Sequence, residues 1–128
     1  MANPASLTVN TISANAAITQ PASQSVDTNG TINCAVKSFT DRLLIELVNT
    51  DDAACTVTIK AGTGVQAHTA RDLVVSLAAS GNAGANKLIG PLESARFVKG
   101  DGSIDIQFQA TTGQPALNVR VYRLPANV

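Results

Sequence analysis

One histidine and nine carboxylates carry nearly all the acid–base capacity of this chain. His68 sits in a glycine-bearing stretch, Ala61 to Ala70 (AGTGVQAHTA), with Asp72 close behind. A histidine, a carboxylate and a serine are the parts of a nucleophilic triad. No G-x-S-x-G elbow presents a serine, however, so no nucleophile is singled out and the plain reading is a loop histidine. Asp51-Asp52 offers oxygen ligands to a calcium ion without the D-x-D-x-D-G loop that would arrange them, and reads as a turn. Glu93 and Asp105 supply the two acids a glycosidase needs, but aromatic residues make up only 3% of the chain, too few to line a sugar cleft. Gly62-x-Gly64 could cradle a phosphate, yet it lacks the Lys-Ser/Thr pair and the following helix of a P-loop. Glu93, Arg96 and Arg120 are expected to form an ion-pair network across adjacent strands, a structural feature of small energy where exposed. Cys34 and Cys55 are too few for a structural zinc and too far apart for a CxxC site. Their spacing leaves a disulfide open, and the better reading is two reduced, buried thiols. The sequence therefore assigns no catalytic, cofactor-binding or metal-binding residue, and the expectation is a protein that is not an enzyme and needs no cofactor.

The elements that would position any site are strands. Ser103 to Phe108 alternates, with Ile104, Ile106 and Phe108 on one face and Ser103, Asp105 and Gln107 on the other, as in a half-buried strand. Lys99-Gly100-Asp101-Gly102 before it carries turn chemistry, which predicts a hairpin with Ala95 to Val98 as the partner strand. Asp27-Thr28-Asn29-Gly30 is a second hairpin signal. Thr31–Lys37, Arg42–Asn49, Cys55–Lys60, Asp72–Leu77, Leu88–Ile89 and Leu117–Val121 complete the strand set. In Arg42–Asn49 the second face, Leu44 and Val48, is also partly apolar, which marks a strand that is central or covered on both sides. About eight or nine strands between turn signals, with no long helix pattern, predict an all-β fold: a single-domain antiparallel β-sandwich, jelly-roll-like or Ig-like.

At 128 residues the chain has the length of one domain. Charged residues are 14% and the formal net charge is zero, so the exterior must be built of Thr, Ser, Asn, Gln and Ala. Nine basic residues are scattered, with no cluster and no interleaved aromatics, which argues against nucleic acid as a partner. No apolar run approaches the roughly 20 residues of a membrane span. The first residues lack the basic and apolar regions of a secretion signal, so the protein is expected to be made and kept in a cytoplasm or released by lysis.

Residues 1–26 contain no charged side chain. They divide the chain into an uncharged N-terminal arm or first strand, 1–26, and a β-sandwich domain, 27–128. A free arm in water usually carries charge, so an uncharged one suggests a segment that docks, with Leu7, Val9, Ile12 and Ile18 as candidate contacts to a partner or another subunit.

Lys87 to Phe108 (KLIGPLESARFVKGDGSIDIQF), Val119 to Pro125 (VRVYRLP) and Thr58 to Gly62 (TIKAG) resemble small proteins encoded among the head genes of tailed bacteriophages and prophages. The likeness runs from Thr58 to Leu124 and is to capsid decoration or auxiliary head proteins, small β-sandwiches that sit on the outer shell. It implies a structural virion protein made in the host cytoplasm, a cement subunit whose partner is the major capsid protein. It also implies a homo-oligomer, a trimer by preference, and no catalytic residues. The alternative is a carbohydrate- or cell-surface-binding β-sandwich of a phage tail or fibre, which would need aromatic platforms from Phe39, Phe97, Phe108 or Tyr122.

Overall fold

The computed structural model describes residues 3–37, 40–63 and 71–125. The strands are β1 (Ser6–Leu7), β2 (Val9–Thr11), β3 (Gln24–Val26), β4 (Gly30–Cys34), β5 (Leu43–Asn49), β6 (Cys55–Ile59), β7 (Leu73–Leu77), β8 (Asn86–Ile89), β9 (Ile104–Ala110) and β10 (Leu117–Arg123). Among the described residues one short helix, α1 (Ser94–Phe97), lies between β8 and β9. One sheet has the order β1-β4-β9-β6-β7 and the other β2-β10-β5-β8, with β3 also on β10, so the chain is a β-sandwich of two five-stranded sheets.

From β3 onward the pairing follows one rule. β3 pairs β10, β4 pairs β9, β5 pairs β8 and β6 pairs β7, all antiparallel. That is a single long hairpin rolled up so that every link except its tip, β6 to β7, passes from one sheet to the other. Of the two sandwich forms the sequence allows, this is the jelly roll. β1 and β2 are additions to it. β1 runs parallel to β4 and β2 parallel to β10, so the chain changes sheet at Thr8.

The alternation seen in the sequence decides which face is buried. Leu43, Ile45 and Leu47 of β5, Cys55, Val57 and Ile59 of β6, Ile104, Ile106 and Phe108 of β9, and Leu117, Val119 and Val121 of β10 fill the space between the sheets. Each such side chain removed from water contributes about 1.5–3 kcal/mol before chain entropy is set against it. Cys34 and Cys55 are free and lie in this core, where burial pushes the Cys34 thiol up to about 11 and raises Cys55 as well. They act as small apolar side chains.

Two turn predictions are corrected. Ala95 to Val98 is not the partner of Ser103–Phe108: β9 has β4 on one edge and β6 on the other, so neither edge is free for a hairpin partner. Residues 94–97 instead close one helical turn, in which the Glu93 carbonyl accepts from the Arg96 and Phe97 N–H groups and Phe97 enters the core. The turn itself is real, with Lys99 N–H on the Ser103 carbonyl at 2.8 Å and Gly102 N–H on the Lys99 carbonyl at 2.9 Å. Likewise Asp27–Gly30 turns the chain but joins β3 in one sheet to β4 in the other, an arch rather than a hairpin. Asn29 holds it. Its amide accepts from Ala110 N–H at 2.8 Å and donates to the Gly113 carbonyl at 2.9 Å.

Candidate functional site

The residues with chemical potential are dispersed, and Asp51, Asp72, Arg96, Asp105 and Arg120 each have a structural partner. Asp72 lies at the base of the β6–β7 connection. Its carboxylate accepts from Ala61 N–H at 2.5 Å and pairs with Lys60 Nζ at 3.1 Å. The Ala61 N–H, with the Lys60 ammonium behind it, holds this carboxyl below the usual range. Arg96 closes the same base from α1, donating to the Arg71 carbonyl at 2.9 Å and the Asp72 carbonyl at 3.1 Å while its guanidinium lies over the Phe97 ring. Gly62 completes it, because a Cβ there would fall 2.3 Å from the Val98 carbonyl oxygen. His68, and Gly64 of the candidate phosphate cradle, lie outside the described residues.

The expected network of Glu93, Arg96 and Arg120 does not form. Arg96 belongs to α1, whereas Arg120 lies on β10 and pairs with Glu46 of β5 at 2.7 Å. Asp105 pairs with Lys99 at 3.1 Å and accepts from Asn33 Nδ2 at 3.0 Å. Asp51 works as a turn residue: its side chain accepts from Asp52 N–H at 2.8 Å and its carbonyl accepts from Ser80 N–H at 2.7 Å. Among the described residues no group of three or more His, Cys, Asp or Glu side chains is placed to hold a metal ion.

The N-terminal segment is where the structure brings candidate contacts together, though in a different form from a free arm. Leu7 is buried in the core and Val9 packs against it, so neither is available to a partner. Ile12 is half-buried, and its N–H donates to the Arg123 carbonyl at 2.9 Å. Ile18 alone of the four is exposed, at 40%. Three polar side chains of this segment, Asn3, Asn10 and Gln24, are used on backbone groups. Asn3 Oδ1 accepts from Asp27 and Thr28 N–H, Gln24 accepts from Thr8 N–H and donates to the Ser6 carbonyl, and Asn10 Nδ2 donates to the Val121 carbonyl. That is the reason an uncharged segment can be ordered on its own sandwich.

What remains outside is the excursion between β2 and β3, in which residues 15–20 are all exposed. It returns to the body where the Pro21 carbonyl accepts from Arg120 Nε at 2.9 Å. Arg120 lies on the outer face of the second sheet, opposite Glu46, which in turn lies opposite Leu88. Leu44, Val48 and Tyr122 share that face, and Leu88 is 63% exposed. A shallow depression of about 280 Å³ is lined there by Glu46, Leu47, Val48, Asn86, Lys87 and Leu88. The excursion and this face lie side by side around the Arg120–Glu46 ion pair, with Lys87 at the rim of the depression. The signal for the face was present in the sequence as the apolar second side of Arg42–Asn49; the signal for Leu88 was hidden in a two-residue strand.

The opposite face of the sandwich is polar. Thr31, Gln107, Thr58 and Val74 lie in one cross-strand row, and Gln109, Thr56 and Ser76 in the next. Chemically, the arrangement offers surfaces for contact. Comparison with protein-family models gives no match, and comparison with curated proteins gives none either.

Proposed function

We propose that the chain is a structural virion protein, a decoration or cement subunit that binds the outer surface of a bacteriophage head and stabilises the shell. The observation that carries this reading is the exposed, charge-free excursion around Ile18, which lies beside an apolar sheet face on a stiff jelly roll. A cement subunit needs a rigid body, a low-charge contact surface and a segment that seats on its lattice. Its stabilising effect follows from mass action, because it binds the assembled shell and not the dissociated capsid protein. The resemblance of Thr58–Leu124 to head proteins points the same way. The partner is then the major capsid protein, and the subunit acts as a homo-oligomer, a trimer by preference.

The test is co-sedimentation with shells of the phage that encodes the chain. Ile18→Asp and Leu88→Asp change only exposed side chains and are expected to leave the fold intact and lower shell occupancy at least tenfold. Unchanged occupancy for both variants would sink the role given to this surface. The alternative, a glycan-binding tail or fibre module, has less support among the described residues, because Phe97 and Phe108 are buried and Tyr122 is half-buried beside the ion pair; Phe39 lies outside the described residues. Binding to a glycan array by the parent protein would revive it.

A further inference from the structure

We propose that residues 3–11 are an exchangeable clip, seated on their own sandwich in a free subunit and on a second copy of the chain when subunits are brought together. The first observation is topological. The four pairings β3·β10, β4·β9, β5·β8 and β6·β7 complete a jelly roll without β1 or β2. The two N-terminal strands are attached afterwards, one to an edge of each sheet and both parallel to their partners.

The second observation is the length of the tether. β2 ends opposite Arg123 and β3 begins opposite Val119, four residues apart on β10 and roughly 13 Å at the rise of a strand. Twelve residues, 12–23, make that connection. Fully extended they reach about 40 Å, some three times what self-docking requires. The body holds the tether at its two ends, through Ile12 N–H on the Arg123 carbonyl and Arg120 Nε on the Pro21 carbonyl. Between them residues 15–20 are exposed, and none of the tether carries a charge that would oppose its passing close to another subunit.

The third observation is the character of the seat. The clip adds strands to sheet edges, and strand addition is satisfied by any chain of the right sequence. Its polar links are to backbone or near-backbone groups: Asn3 to residues 27 and 28, Gln24 to residues 6 and 8, Asn10 to residue 121. Leu7 is its one fully buried side chain and Val9 is packed beside the core at partial burial, so releasing the clip withdraws two apolar side chains. Each of these contacts can be made by the clip of a neighbour as well as by the chain's own. Reciprocal exchange closes a dimer, and cyclic exchange closes a ring. The inference is independent of the virion reading, since it concerns contact between copies and not the surface they decorate.

Two experiments on the full-length chain test it. Deleting residues 13–23 joins Ile12 directly to Gln24, and the two residue steps left between Thr11 and Gln24, about 7 Å, cannot span the roughly 13 Å between their seats on one body. The clip can then dock only on another copy. Light scattering is expected to show at least a doubling of native mass, with the Leu7 amide still protected from hydrogen exchange; a species that stays monomeric counts against exchange. The second is a trap in the unshortened chain: Asn10→Cys with Tyr122→Cys, which are Cα partners in the β2–β10 ladder, in a background with Cys34→Ala and Cys55→Ala. Oxidation of concentrated protein is expected to give disulfide-linked dimers or larger species on a non-reducing denaturing gel. Intramolecular bridges alone, at every concentration, would overturn the proposal.

Discussion

At the scale of single residues, most of the groups that look reactive in the sequence hold the base of a loop or the end of a strand. Asp72 is the clearest case. Its carboxyl titrates below the value of about 3.9 expected of an unfolded chain, because Ala61 N–H and Lys60 favour the charged form. A depressed folded pKa means that the unfolded chain binds the proton first. The stabilisation is therefore complete above about pH 4–5 and is lost as the pH falls through the folded pKa. Asp72→Asn should lower the neutral plateau of a stability–pH profile measured by thermal melting, by a small amount since the carboxylate is partly exposed, leave the acid limit little changed, and so flatten the fall between them. Gly62 tests the same base sterically. Gly62→Ala puts a methyl group against the Val98 carbonyl, and chemical denaturation should show a loss of about 1–3 kcal/mol. Nothing in the sequence separated Gly62 from an ordinary flexible glycine, because the close approach is made by a residue 36 positions away.

At the scale of elements, the strands were legible and their partners were not. Period-2 alternation is a local property, so β5, β6, β9 and β10 could be read directly from Leu43–Asn49, Cys55–Ile59, Ile104–Ala110 and Leu117–Arg123. Pairing is a property of the whole chain, and turn chemistry at Asp27–Gly30 and Lys99–Gly102 suggested hairpins where the jelly roll needs an arch and an entry turn. Edge management is likewise visible only after folding. β7 and β8 are the open edges on one side of the two sheets, and Lys87 of β8 reaches across to the Ser76 carbonyl of β7 at 2.7 Å. A lysine turned inward on a short edge strand discourages another chain from pairing there. Lys87→Val should keep stability within about 0.5 kcal/mol of the parent while promoting concentration-dependent self-association in sedimentation velocity. A variant that stays as dispersed as the parent would remove the guard role.

At the scale of the molecule, strand patterning identified an all-β domain, and composition left the contact surface half-described. The absence of charge from residues 1–26 pointed outward, to a partner. The structure turns most of it inward, through Leu7 in the core and through Asn3, Asn10 and Gln24 on backbone groups. Only the stretch around Ile18 keeps the outward reading. Local composition could not divide the segment in this way, because the division depends on which sheet edges β3–β10 leave open.

The parallel pairing of β2 with β10 also decides how the molecule carries load. Tension applied to the two chain ends pulls these neighbouring strands in opposite directions along their length. The ladder from Val9↔Val121 to Thr11↔Arg123 is therefore loaded in shear, with its hydrogen bonds strained together rather than one after another. A subunit fastened through β2 and β10 would thus resist stretching as a clamp, where an antiparallel pair loaded in the same way would open like a zip.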